Sequence, residues 1–373
     1  MTRVHRSRHR FPRRQRGVAM LVAVLLVALG TILAATIAYE SAMSARRGTA
    51  TFAFDEAILV GQGAEALAAY GLRAVVQGMS TSSGSNSSNG TNSTATGTST
   101  NNNTTRSNPG TTGTTGGTPG TADIYAAQPW AQPVGPLEVV PGVTLEAQLE
   151  DMQGRFNINW LVATTGPNAG KPDPNAVNAF NHLCELVGVE PKWADMIVDW
   201  IDTGTDPLPD GAEDSAYLGQ NPPYLTANQY VTSASEILAL AGFGHDRYAK
   251  LAPYITALPP GTALNVCTAP GVVLDAFLPN GRQEWSTDPT SLAKSRANAN
   301  ACFPTVAAYQ ASFDAKSPAA GVNASVQFSS TSQYFRLSSL ITIGSAEFNL
   351  YSLLYMDQNG PLIHPIQRTF SDD

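Results

Sequence analysis

Charge is scarce in this 373-residue chain: only 14% of its residues are Asp, Glu, Lys or Arg. What charge there is lies unevenly. Seven Arg and no acid occupy residues 1–17, so the remaining 15 basic residues face all 29 acids, a balance near −14. A body that acidic argues against binding to a phosphate backbone. Cysteine is nearly absent. Cys184, Cys267 and Cys302 form no CxxC motif and no Cys/His cluster, which argues against a zinc site. In an oxidising compartment they amount to one pair and one spare. No GxSxG or HExxH occurs, so those hydrolase signatures are missing. The sharpest local shortage is in VDWIDTGTDPLPDGAEDSAYL, residues 198–218. It holds Asp199, Asp202, Asp206, Asp210, Glu213 and Asp214 but no base, and the nearest are Lys192 and Arg247.

Charge is also missing from residues 18–38, VAMLVAVLLVALGTILAATIA. As a helix this run is about 30 Å long, the thickness of a bilayer core. The Arg-rich flank before it should stay cytoplasmic, with everything after it outside. A cleaved secretory signal is the alternative. The run exceeds a usual signal core of roughly 7–15 residues, and no small-x-small site closes it. Beyond it, the chain to about residue 77 continues without Pro. Phe52, Ile58, Leu59, Leu67 and Leu72 recur at helical spacing there, so the spanning helix is expected to run on into an amphipathic one.

Residues 78–122 are almost wholly Gly, Ser, Thr and Asn. They cannot bury enough apolar surface to offset their ordering entropy, and a disordered loop is expected. From residue 137, LEVVPGVTLEAQLEDMQGRFNINWL alternates apolar and polar residues as strands do. From about 168 to 315 the pattern turns helical. DPNAVNAFNHLCELVG opens on an Asp cap and stops at Gly188. EPKWADMIVDWID places Trp193, Ile197, Trp200 and Ile201 on one face. VTSASEILALAGF carries a Ser233–Glu236 capping box. After residue 322 strands return, with DQNG as a hairpin turn. The expected fold is α+β: a long helix and antiparallel sheet, with strands at 123–162 and 321–373 and an all-α domain inserted at 163–320. Within the insert, GVEPKWADMIVDWI and NVCTAPGVVLDAFL each run from a short turn into an apolar helix. That pattern resembles helix-hairpin-helix or SAM-like units.

RQRG followed by VAMLVAVLL resembles the type IV prepilin leader. The resemblance implies that a membrane-embedded peptidase cuts after Gly17 and methylates Val18. Most members of that class carry Glu at the fifth mature position, where this chain has Val22. A buried Glu is costly in a bilayer unless paired. In the class it meets the free amine of the subunit above, so its loss suits a tip subunit. The motifs EDMQGRFNINWL, VDWIDTGTDPLPDGAEDSAYL, NPPYLTANQYVTSASEILALAGF, YAKLAPYITALPPGTALNVCTAPGVVL and YFRLSSLITIG…LYSLLYMD, in that order, resemble the K-type minor pseudopilins (GspK) of bacterial type II secretion systems. The resemblance implies a pilin-like, non-enzymatic subunit in the bacterial inner membrane, its body in the periplasm. Implied partners are the I- and J-type minor pseudopilins, the pseudopilus shaft, the prepilin peptidase, exported proteins and the secretin, with no nucleic acid.

Pro207 and Pro209 forbid helix through the acidic stretch, and Gly204 and Gly211 permit bends. The acids after Asp202 therefore share a compact loop. Oxygen-only donors at irregular spacing suit Ca²⁺, which takes 6–8 oxygens in variable geometry. A solvated acidic face and a catalytic carboxylate pair are the alternatives on chemistry alone. The family resemblance favours calcium, with Asp202, Asp206, Asp210, Glu213 and Asp214 as ligands and Asp199 either a ligand or a residue behind one. A hydrolase using paired carboxylates and a DNA-uptake minor pilin are the rival functions. Cys267 and Cys302 flank the second helical unit and are expected to pair, with Cys184 a buried thiol. A pairing through Cys184 stays open.

Overall fold

The computed structural model describes residues 16–76, 122–313, 326–357 and 362–371. The basic leader up to Gln15, most of the 78–122 segment and the tip of the DQNG turn lie outside them. The chain divides into two compact units, Met1–Leu59 and Val60–Asp373. Helix α1, Arg16–Val76, supplies the described part of the first and runs on into the second. In the first unit, Leu21, Leu25, Leu29 and Ile32 are more than half exposed. A helix this long, apolar and bare on all sides is long and apolar enough to cross a membrane.

In the second unit the chain passes from α1 to strands β1, Val134–Val140, and β2, Val143–Asp151. The insert follows: β3 (Phe156–Asn157), α2 (Pro174–Val187), α3 (Trp193–Ile201), α4 (Asp214–Tyr217), α5 (His245–Leu251), β4 (Ile255–Thr256), β5 (Leu264–Asn265), α6 (Gly271–Ala276), α7 (Pro289–Ala299), α8 (Val306–Ala311) and β6 (Phe328–Ser329). The chain then returns through β7, Tyr334–Ile343, β8, Ala346–Met356, and β9, Ile363–Thr369. The main sheet runs β1-β2-β7-β8-β9, antiparallel throughout, so the whole insert sits in the β2-to-β7 connection. Two-residue alternation drives it. Leu145 and Leu149 of β2, Phe335, Leu337 and Ile341 of β7, and Leu350 and Leu354 of β8 are buried, and strand geometry puts such alternate residues on one face.

The Val60–Val76 end of α1 packs on that face. Glu65 is the anchor: both its oxygens take the Arg368 guanidinium at 2.7 and 2.8 Å, and Oε1 accepts from Ser352 at 2.7 Å. Burial alone would push this carboxyl up, but Arg368 and Ser352 outweigh it and hold it below the usual Glu value. One turn earlier, a Cβ on Gly61 would run into Leu350 of β8, which is itself buried. Gly61→Leu should therefore lower stability by about 1–3 kcal/mol through overpacking. A wild-type urea midpoint in that variant would refute the close approach.

Three expectations change in and beside the insert. It is not all-α: β3 pairs with β4 and β5 with β6 in short parallel ladders. The connectors around ITALPPGTALN cannot be helical through their prolines. Buried extended backbone needs partners, and they find them in each other. The expected strand through DMQGRFNINWL also breaks up. Asp151 and Asn157 each accept the amide two residues on, starting the 3₁₀ turns Met152–Gly154 and Ile158–Leu161. The α2 reading agrees with the structure: Asp173 caps Asn175 and Ala176, and Gly188 ends the helix at φ 71°. The expected capping box does not close. Ser233 accepts from Ser235, but Glu236 gives Oε1 to the Trp200 indole, and the segment winds as a 3₁₀ helix, Ala234–Ala239. The insert has its own aromatic centre, in which Phe156 meets Trp160, Phe180 and Phe277 at 5.2–5.6 Å. Cys267 and Cys302 are joined by a disulfide. Cys184 is a buried free thiol that burial pushes up to about 12.

Candidate cation site

The acidic loop hangs from α3, a short helix buried on nearly every side. Its packing carries Asp199 inside, where the residue has no exposed surface. A buried carboxylate must find donors. Asp199 takes the Leu208 amide at 3.0 Å, nine residues on, and the Ala212 amide as well. A Cβ on Gly211 would collide with the Asp199 carboxylate, so glycine is what lets the chain cross over it. Asp202 ends the helix and accepts from Gly204 at 2.9 Å. Asp214 ties the far side of the loop to Thr226 through its amide at 3.0 Å and hydroxyl at 2.7 Å.

Glu213 differs from the rest. It is 6% exposed, and its Oε1 is buried without a hydrogen-bond partner. Burial, then the charges of Asp199, Asp202, Asp214 and Asp206, push it up to about 7. Asp199 is pushed up to about 6, by burial first and then by Asp202 and Asp195, against the pull of the two loop amides. The nearest bases are spent elsewhere: Arg247 grips Glu190 with two 2.8 Å bonds, and Lys192 lies over the Trp193 ring at 5.0 Å.

The structure thus brings Asp199, Asp202, Asp206 and Asp214 within electrostatic reach of Glu213. Asp210 is placed apart, its amide donating to Asp195 at 3.3 Å. Among the described residues, no three His, Cys, Asp or Glu side chains are gathered closely enough to form a closed metal cage. The donor chemistry still fits a hard dication: all oxygens, a buried orphan at Glu213, and no competing base. Gly17 and Val18 lie in the first turn of α1, with Val18 66% exposed.

One residue went unnoticed in the sequence. Asp275 on α6 is also without exposed surface and accepts from Glu284, Trp285 and Ser286, nine to eleven residues on. It does for its loop what Asp199 does for the acidic one. The signal was available, because MIVDWI and VVLDAF set Asp at the same place in the two units.

The family model of type II secretion system (T2SS) protein K matches residues 154–260, which include the whole acidic loop. The chain is 30% identical over 249 residues to a type II secretion system protein K of Klebsiella pneumoniae, covering 66% of this chain and 63% of that protein. It is 34% identical over 158 residues to the protein of that name in Pseudomonas aeruginosa, covering 41% and 46%. The chain is thus similar to the type II secretion system protein K family. It spans about half to two thirds of the length of these curated relatives. Its fold is also that of a chain in the crystal structure of the GspK-GspI-GspJ complex from the enterotoxigenic Escherichia coli type 2 secretion system. The TM-score is 0.60 at 21% identity, over 88% of this chain and 100% of that one.

Proposed function

We propose that this chain is a protein K family member, a minor pseudopilin at the tip of the type II secretion pseudopilus. There it helps to start and cap the fibre and to export folded proteins through the outer membrane. The observation that carries this is the joining, in one chain similar to that family, of a membrane-length apolar helix to an antiparallel sheet interrupted by a helical insert. In this reading the chain is held by one span in the bacterial inner membrane, its N-terminus cytoplasmic and its body periplasmic. The prepilin peptidase cuts between Gly17 and Val18. The I- and J-type minor pseudopilins are its direct partners, with the shaft below and exported proteins and the secretin above. Its work is structural rather than enzymatic. Val22 in place of the Glu that shaft subunits use supports the terminal position. The matched placement of Asp199 and Asp275 supports reading the insert as two related helix-hairpin-helix or SAM-like units.

Calcium belongs to this proposal. Glu213 with Asp202, Asp206 and Asp214 would hold the ion, with Asp210 standing apart, and the ion supplies the counter-charge that no Lys or Arg gives the loop. Asp199 positions the loop from behind.

The test is made in cells. Mature chain should begin at N-methylated Val18 by mass spectrometry, and Gly17→Leu should leave the leader uncut and stop secretion. Val22→Glu should leave assembly near wild type. A strain lacking the chain that still built pseudopili and secreted at the wild-type rate would overturn the proposal.

A further inference from the structure

We propose that a groove between the Val60–Val76 end of α1 and the β1 edge of the sheet receives an uncharged, apolar segment of a pilin-like partner subunit. This rests on the reading of the chain as a tip subunit. The groove has a volume of about 630 Å³, and among the described residues no charged one lines it. Leu67, Ala68, Gly71 and Val75 form one wall, and Trp130 and Val134 stand opposite. Leu149 and Leu337, paired across β2 and β7, make the floor.

The second wall is built in advance. Gln128 Oε1 accepts from the Trp130 indole at 2.7 Å and from the Tyr125 amide at 3.0 Å, and its amide nitrogen donates to the Asp123 carbonyl. The Trp130 ring meets Phe335 edge-on at 5.4 Å. A preorganised wall lowers the cost of docking. The rim is apolar too. Leu67 and Tyr70 are 49% and 59% exposed, and Val134, Leu137, Val139 and Val140 along β1 lie between 43% and 47%. β1 pairs only with β2, so its outer backbone edge is open among the described residues. An apolar surface of this kind marks an interaction site.

The occupant follows from what the chain itself can offer. One wall ends at Val76 and the other begins near Tyr125. The residues joining them, 77–121, include one large apolar side chain, Met79, and one charge, Arg106. Gly, Ser, Thr and Asn cannot fill an apolar groove, so the filling comes from another chain. It must be uncharged along its length, because nothing in the groove would neutralise a charge.

Two glycines of α1 make a matched test. A Cβ at Gly71, which lines the groove, meets nothing within 4 Å, and neither does one at Gly63, which does not line it. Gly71→Leu therefore puts bulk into the groove without disturbing the fold, and Gly63→Leu adds the same side chain on the same helix outside it. Full-length chains in detergent are mixed with the I- and J-type partners, and affinity is measured alongside thermal stability. Gly71→Leu should weaken the complex by about tenfold or more, a change of roughly 1.4 kcal/mol in binding. Gly63→Leu should bind as wild type, and both should melt no lower than wild type. Unchanged binding by Gly71→Leu would overturn the groove while leaving the tip reading intact. So would wild-type self-association that Gly71→Leu abolishes, or groove-dependent binding to lipid vesicles. If wild type binds neither partner, the tip reading falls and the groove with it.

Discussion

Without calcium, the protein should lose stability as the pH rises from about 5 to about 7.5, and calcium should restore it. Glu213 titrates near 7 when folded against an ordinary 4.5, and Asp199 near 6 against 3.8. A folded carboxyl raised this way holds a proton that the unfolded chain gives up. Its favourable contribution is complete below the unfolded value and is lost as the pH passes the folded one. Glu213 and Asp199 share that loss, because both are raised in the folded chain. Calcium binding the folded state at a hundred times its dissociation constant would return about 2.7 kcal/mol. Near pH 5 the ion competes with protons and should do little. Calorimetry of the full chain in calcium or chelator across this range reads both effects. Glu213→Gln should flatten the calcium-free profile, raise the melting temperature at neutral pH and weaken the calcium response. A flat profile in chelator, or a melting temperature indifferent to calcium, would remove the ion from this loop.

Asp151→Ala should be among the most damaging single changes outside the aromatic centre, costing on the order of 3–5 kcal/mol as a buried hydrogen-bond network breaks. Asp151 ends β2 where the chain leaves the sheet for the insert. Its Oδ2 accepts from Asn265 at 2.9 Å and from Thr268 and Ser332 at 2.6 Å, and Oδ1 takes the Gln153 amide at 2.9 Å. One carboxylate therefore ties the outgoing strand, the insert and the returning chain before β7. Burial raises its pKa despite those donors. Asp151→Asn should cost less, because the Ser332 and Thr268 hydroxyls can turn to accept from the new amide. Chemical denaturation of the two variants checks the order. Equal losses would mean that the site tolerates no donor at all, and no loss in either would mean that the clamp carries no load.

How far the sequence could be read depended on whether a segment had two unlike faces. Helix α2 has an Asp cap, an apolar stripe and a terminal Gly, and each says the same thing locally. The β7–β8 hairpin has one buried and one half-exposed face, so its alternation shows. FNINWL has no polar face: Phe156, Ile158, Asn159, Trp160 and Leu161 are all buried. Its Asn residues looked like the polar half of a strand. In the structure Asn159 lies inside, bonded to Val231 and Leu258. The parallel ladders of the insert were hidden because their partners stand about 60 to 100 residues apart and are two residues long.

In the acidic loop, local chemistry settled that the chain bends, that it gathers carboxylates and that no base answers them, because Pro, Gly and charge act at short range. Which carboxylate would be enclosed was decided only by tertiary packing. Burying α3 on nearly every side takes Asp199 inside to bind the loop amides, strands Glu213 Oε1 without a donor, and leaves Asp210 apart, its amide on Asp195. Six acids equal in the sequence become unequal because desolvation depends on where the rest of the chain lies.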